Sequence, residues 1–212
     1  MIGFLRDGSI LGGMIKVLRR NTYLVEEQAR LLSARFAYDV RDPETGEILL
    51  RCREGEIGKF ARVFRFSEYK RTTPFSLGVY TPDDRLLMRV CRGVPVFSSR
   101  VRVLDAEGVP IGDFRQKVFS FAAVFDVLDA RGQIMCRLKG KGIGGEFLFV
   151  TQQGLTLARV TKKWAGMTKE LLTSADHYLL VIDEAVPQDS MLRQLILASA
   201  LCIGMVVKFE IP

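Results

Sequence analysis

LILASALCIGMVVKF, residues 195–209, is the most hydrophobic stretch of this chain, and only Ser199, Gly204 and Lys208 interrupt it. Asp189 or Ser190 supplies a helix cap, and the VPQ just upstream suits a boundary. From Met191 onward Leu, Ala, Met and Gln favour helix and no turn pair intervenes, so the sequence predicts a helix over 190–208. Apolar residues, among them Leu192, Leu195, Ile196, Leu201 and Met205, cover all its faces. A surface helix would keep a polar stripe, and this one shows none beyond Gln194. The run from Leu195 to Val207, with Ser199 and Gly204 allowed in it, counts 13 residues. At ~1.5 Å per residue it measures about 20 Å, against ~30 Å for the hydrocarbon layer of a bilayer. A helix too short to span and too apolar for water belongs inside a protein.

The rest of the chain supplies the wall. Five segments align with one another: 38–55, 76–93, 100–117, 124–141 and 146–163. Each has a run of β-formers, a polar turn, and a second run that ends in basic residues. Asp84, Gly108 and Gly132 recur at intervals of 24 residues, and Gly154 follows after 22. This is the pattern of serial hairpins, in which Asp accepts backbone N–H groups and Gly takes the left-handed position. YLVEEQ (23–28) and HYLLVI (177–182) add an opening and a late strand, while 56–73 breaks the spacing as an elaboration. About twelve strands in one open sheet would leave exposed edges, and closure removes them. Such a barrel is too wide for side chains alone to fill, so the apolar helix is expected in its middle. The expected fold is mainly β, a closed antiparallel barrel enclosing a C-terminal helix, with a lead-in over 1–20 and one domain over 21–212.

Composition narrows the function. Hydrophobic residues make up 48% and charged residues 26%, with a net charge of +7. The surplus suits an anionic partner and equally serves solubility. The basic residues are dispersed and the aromatics sit in strands, so no nucleic acid is expected. Cys52, Cys91, Cys136 and Cys202 lie at least 39 residues apart and His177 is the only histidine, which argues against zinc and for thiols in a reducing compartment. The first 20 residues lack the charged–apolar–small order of a secretory signal. Their Ile10, Leu11, Met14 and Ile15 beside Lys16, Arg19 and Arg20 suit a peripheral membrane contact. Localisation is expected to be cytoplasmic, with peripheral contact to a membrane.

No nucleophile and base can be named that converge, and no cofactor motif occurs. KGKGIGGEF (139–147) lacks the ending and the helix of a phosphate loop and reads as a turn or bulge. Asp183, Glu184 and Asp189 near His177 suit a weak cation site or helix-start electrostatics. Lys162, Lys163 and Lys169 flank Trp164, a combination that rests in a headgroup layer or packs over a barrel end. With Lys139 and Lys141 these are the candidate headgroup contacts. Which of the other basic residues, Arg89, Arg92, Arg100, Arg102, Arg115 and Lys117 among them, share a face depends on register.

The hairpin series over 100–141, and WAGMTKELLTSADHYLLVI (164–182) followed by the apolar helix, resemble the phospholipid scramblases and the LURP-one-related proteins of the Tubby C-terminal-like superfamily. The resemblance covers residues 21–210. It implies a twelve-stranded barrel around the C-terminal helix. Of function it implies either calcium-stimulated lipid movement, as in scramblases, or headgroup binding through basic residues of the barrel, as in Tubby proteins. The calcium-associated segment of animal scramblases resembles D-A-D-x-F-x-V-x-F-P-x-D-L. Here Ser174 stands at its first acid, Asp176 at the next and Tyr178 at the aromatic, while Asp183 replaces the proline and Ala185 the last acid. Asp176 and Asp183 are the acidic remnant, and calcium stimulation is disfavoured. The Pro-rich leader and clustered cysteines of animal scramblases are missing too. The expected function is non-enzymatic, either binding of anionic phospholipid through a basic outer patch or a structural or protein-interaction role without a small ligand.

Overall fold

The computed structural model describes residues 17–28, 37–55, 74–93, 100–117, 124–141, 146–161 and 177–206. Twelve strands run up and down in chain order: β1 (Thr22–Glu27), β2 (Ala37–Arg41), β3 (Ile48–Glu54), β4 (Phe75–Tyr80), β5 (Leu86–Arg92), β6 (Arg100–Asp105), β7 (Pro110–Gln116), β8 (Val124–Asp129), β9 (Ile134–Lys141), β10 (Glu146–Val150), β11 (Thr156–Thr161) and β12 (His177–Ile182). Each pairs with its sequence neighbours, and β12 pairs with β1, Leu24 opposite Leu179 and Val25 opposite Tyr178, which closes the barrel. The five repeat units are the hairpins β2–β3 to β10–β11, as the sequence predicts.

Four of their turns share one construction, and the β2–β3 turn is one residue longer. In β6–β7 the Asp105 N–H donates to Val109 O (2.9 Å) and the Gly108 N–H to Asp105 O (3.2 Å). The Asp105 carboxylate accepts the N–H groups of Glu107 and Val109 at 3.1 and 2.7 Å. Asp129 repeats this with Arg131 and Gln133 at 2.9 and 2.8 Å. Gly108, Gly132 and Gly154 sit at φ 87, 80 and 89°, and Asp84 stands in the same place at φ 64°. A register shift beside each turn marks the bulge that such three-residue loops carry.

All five turns therefore lie on one rim, here the turn rim. Thr22 of β1 and Ile182 of β12 reach it too, so the helix α1 (Met191–Val206) enters the barrel there. Alternation sends one face of every strand inward, where Val40, Leu50, Leu77, Val103, Val127, Phe149 and Leu180 are all sealed from solvent. Residues Leu195 to Ile203 of α1 are buried without a break, so the wall surrounds it. Leu195, Ile196 and Leu201 occupy the core as expected and Leu192 is half-buried. The side chain of Met205, like residues 207 and 208, lies outside the described residues. The approach is closest at Gly112 of β7, where an added Cβ would collide with Leu128 O and stand 2.9 Å from a Leu195 methyl.

One feature departs from the sequence reading. Arg193, in the first turn of α1, is 0% exposed. Its Nε donates to Val186 O (2.9 Å), its Nη1 to Leu18 O (3.0 Å) and Arg20 O (2.8 Å), and its Nη2 to Asn21 Oδ1 (2.7 Å). The helix is thus not apolar on every face at its entrance. A guanidinium there ties together the segment before β1, the loop after β12 and the helix itself. Tyr23 backs the cluster: its hydroxyl donates to Val17 O or Arg20 O, and burial pushes its pKa up to about 12 against the pull of the Arg193 charge.

Candidate functional site

Among the described residues the helix and the wall pack closely. The apolar cavity between the helix and β6–β9, lined by Phe114, Phe125, Ser199 and Cys202 among others, measures about 20 Å³, the space of about one water. Ser199 does not reach the wall, because its hydroxyl donates back to Leu195 O at 2.7 Å. A larger groove of about 270 Å³ opens on the turn rim between the segment before β1 and the β2–β3 and β4–β5 turns. Its charges are spent on each other. Arg20 pairs with Asp42 and with Glu47 (3.7 Å), and Arg85 with Asp83 (2.8 Å). The Thr81 hydroxyl, with a smaller contribution from Arg85, holds the Asp83 carboxyl below its usual range.

The outer wall of β5–β9 differs. Met88, Val90 and Arg92 of β5 point inward, which turns Arg89 and Cys91 outward. Register then sets Cys91 opposite Arg102, Arg102 opposite Asp113, Arg100 opposite Arg115, Asp126 opposite Arg137, and Val124 opposite Lys139. Two carboxylates serve this face. Asp113 takes Arg100, whose pKa that hydrogen bond raises, and Asp126 takes Arg137 (3.1 Å) and Lys117 (3.9 Å). Arg89, Arg102, Arg115 and Lys139 are exposed and make no ion pair or side-chain hydrogen bond among the described residues. Arginines directly across a strand pair, as Arg100 and Arg115 are, destabilise a sheet. Across the barrel the wall is internally neutralised: Arg41 binds Glu26 (2.7 Å) and Asp39 (3.5 Å), and His177 lies 3.7 Å from Glu26.

Arg92 leaves the set of candidate contacts. It is 4% exposed, with its guanidinium 5.0 Å over the Phe75 ring inside the barrel. Lys139 stands on the basic wall. Lys141 continues β9 beyond it, opposite Glu146, although its side chain lies outside the described residues. Lys162, Lys163, Trp164 and Lys169 lie outside them altogether.

The sequence profile of the Scramblase family matches residues 24–210, from β1 to beyond the end of α1. The chain belongs to the Scramblase family. In this scramblase-family barrel the segment compared above with a calcium motif is described only from His177. Asp176 falls outside the described residues, and Asp183 is exposed on the turn rim, where its carboxylate accepts the Ala185 N–H at 2.9 Å. Among the described residues no three His, Cys, Asp or Glu side chains gather as a metal site, and no helix is long and apolar enough to cross a membrane.

Sequence reasoning missed two groups and left one unresolved. Arg193 is a lone charge in a helix start, and nothing nearby in sequence marks it as buried. Gly112 in VPIGDF carries no sequence signal that sets it apart from the other glycines. The β5–β9 face was unresolved, because cations at every second position of one strand fix no neighbour until register is known.

Proposed function

We propose that this barrel is a non-enzymatic domain that meets anionic phospholipid headgroups at the cytoplasmic face of a membrane through the outer wall of β5–β9. The observation that carries this reading is a set of cations on one side of the wall, Arg89, Arg102, Arg115 and Lys139, that are unpaired among the described residues. Exposed guanidinium and ammonium groups without carboxylates keep their charge for an external anion. The two Asp residues of this face neutralise only their own partners.

The reading has a direct test in flotation with phosphatidylcholine vesicles, with and without phosphatidylserine. Binding is expected only to the anionic vesicles and is lost in ~0.5 M salt, where the Debye length falls to a few ångströms. A basic residue near an anionic surface contributes about 1 kcal/mol, so Arg102→Gln with Arg115→Gln should weaken binding about thirtyfold. Arg131→Gln, on the turn rim, serves as the control and should change little. Absence of binding to anionic vesicles at low salt overturns the proposal.

A further inference from the structure

We infer that the barrel is electrically polarised along its axis and therefore sits tilted at an anionic surface, with the rim opposite the turns nearest to it on the β5–β9 side. This rests on the headgroup reading above and specifies its geometry.

The polarity is written into the repeat. Four of the five units place acids in the turn, and all five place basic residues along the second strand. An up-and-down barrel gathers all the turns on one rim and sends every second strand away from it. The five turns (42–47, 81–85, 105–109, 129–133, 151–155) and the loop 183–190 hold eleven carboxylates against Arg85 and Arg131. These segments sum to −9 in a chain whose net charge is +7. Hydrogen bonds from backbone N–H groups to Asp105, Asp129 and Asp183 leave those charges in place, because the donors are neutral. The strands that leave the turn rim, β3, β5, β7, β9 and β11, hold nine Lys and Arg against Glu54 and Asp113. On β7 and β9 the cations gather in the far half, at Arg115 and at Lys139 with Lys141. Glu26 and Asp39 offset this on β1 and β2, so among the described residues the far ends of the strands are most positive on the β5–β9 side.

An anionic plane attracts one rim of such a body and repels the other. Strands of five to eight residues at ~3.3 Å per residue, tilted by about 40°, separate the rims by roughly 15–20 Å. That exceeds the Debye length of about 8 Å at physiological salt, so the surface acts on the rims unequally.

The test compares two labels. In a Cys91→Ser background, Gln116→Cys places a dye at the far end of β7, and Gln153→Cys places one on the β10–β11 turn. Energy transfer to a headgroup acceptor in phosphatidylcholine–phosphatidylglycerol vesicles should be several-fold stronger from position 116. In each labelled chain, Glu44→Gln, Glu107→Gln and Asp189→Asn together should raise the bound fraction and narrow the difference between the labels. Binding with equal transfer from both positions, or stronger transfer from 153, overturns the orientation and leaves headgroup binding standing. Failure of both labelled chains to bind overturns headgroup binding, and the orientation with it.

Discussion

Arg193→Met should lower the unfolding free energy by about 3–5 kcal/mol, a large part of the 5–15 kcal/mol that holds a typical domain. The arginine carries a positive charge into the first turn of a helix, where the backbone dipole already disfavours it. It is also fully buried. Four oxygens compensate, those of Leu18, Arg20, Val186 and Asn21. Methionine fills similar space but donates nothing, so Leu18 O, Val186 O and Asn21 Oδ1 lose their donor at about 1–3 kcal/mol each before water relieves some of them, while Arg20 O retains the Tyr23 hydroxyl. Arg193→Lys should recover less than half of the loss, because one ammonium cannot reach oxygens on both the segment before β1 and the loop after β12. Urea midpoints followed by circular dichroism measure both variants. A loss below about 1 kcal/mol for Arg193→Met would show that the network does not hold the helix entrance.

The second large effect is expected from a single methyl. Gly112→Ala drives a Cβ into Leu128 O and against a Leu195 methyl. Leu128 O is backbone, and the Leu195 side chain is fully buried with little space to turn into, so the cost should reach about 2–4 kcal/mol, at or above the usual overpacking range. Gly108→Ala is the matched control. Its added Cβ would meet nothing within 4 Å, and only its φ of 87° resists a side chain, so about 1 kcal/mol is expected there. Leu195→Ala in the Gly112→Ala background should relieve the helix side of the clash. The double-mutant cycle should then show a coupling of about 1 kcal/mol or more. Equal costs at positions 112 and 108 would show that Leu128 O and Leu195 do not crowd Gly112 as the structure places them.

These two positions also show where the sequence stopped speaking. The strands were legible because turn chemistry repeats, with Asp or Thr first and Gly or Asp84 in the left-handed place. The place of α1 was legible because a 13-residue run, apolar but for Ser199 and Gly204, is too short for a bilayer and too apolar for a surface. Arg193 was not, because its partners Leu18, Arg20 and Asn21 stand more than 170 residues away in the chain. A lone arginine in a helix start otherwise reads as solvated. Arg92 was left open for a related cause: in LLMRVCR both faces of β5 carry an arginine, and only pairing with β4 and β6 shows that Arg89 faces out and Arg92 in. The basic wall emerged by the same route. Its cations are scattered from residue 89 to 139, and five adjacent strands bring them to one face.

The claim beneath all of this is that α1 is sheltered by the protein's own wall, and the thiols test it. Cys91 is half-exposed on the outside, its Sγ 3.4 Å from Ser76 Oγ. Cys202 on the helix is 3% exposed and Cys52, facing the lumen from β3, is 0% exposed; burial pushes both thiols up, out of reach of the thiolate form at neutral pH. Alkylation without detergent, read residue by residue by mass spectrometry, should modify Cys91 while Cys202 waits for global unfolding. The delay should be at least about a thousandfold relative to the unfolded chain. Modification of Cys202 as fast as Cys91, while circular dichroism still reports an intact barrel, would contradict the enclosed helix.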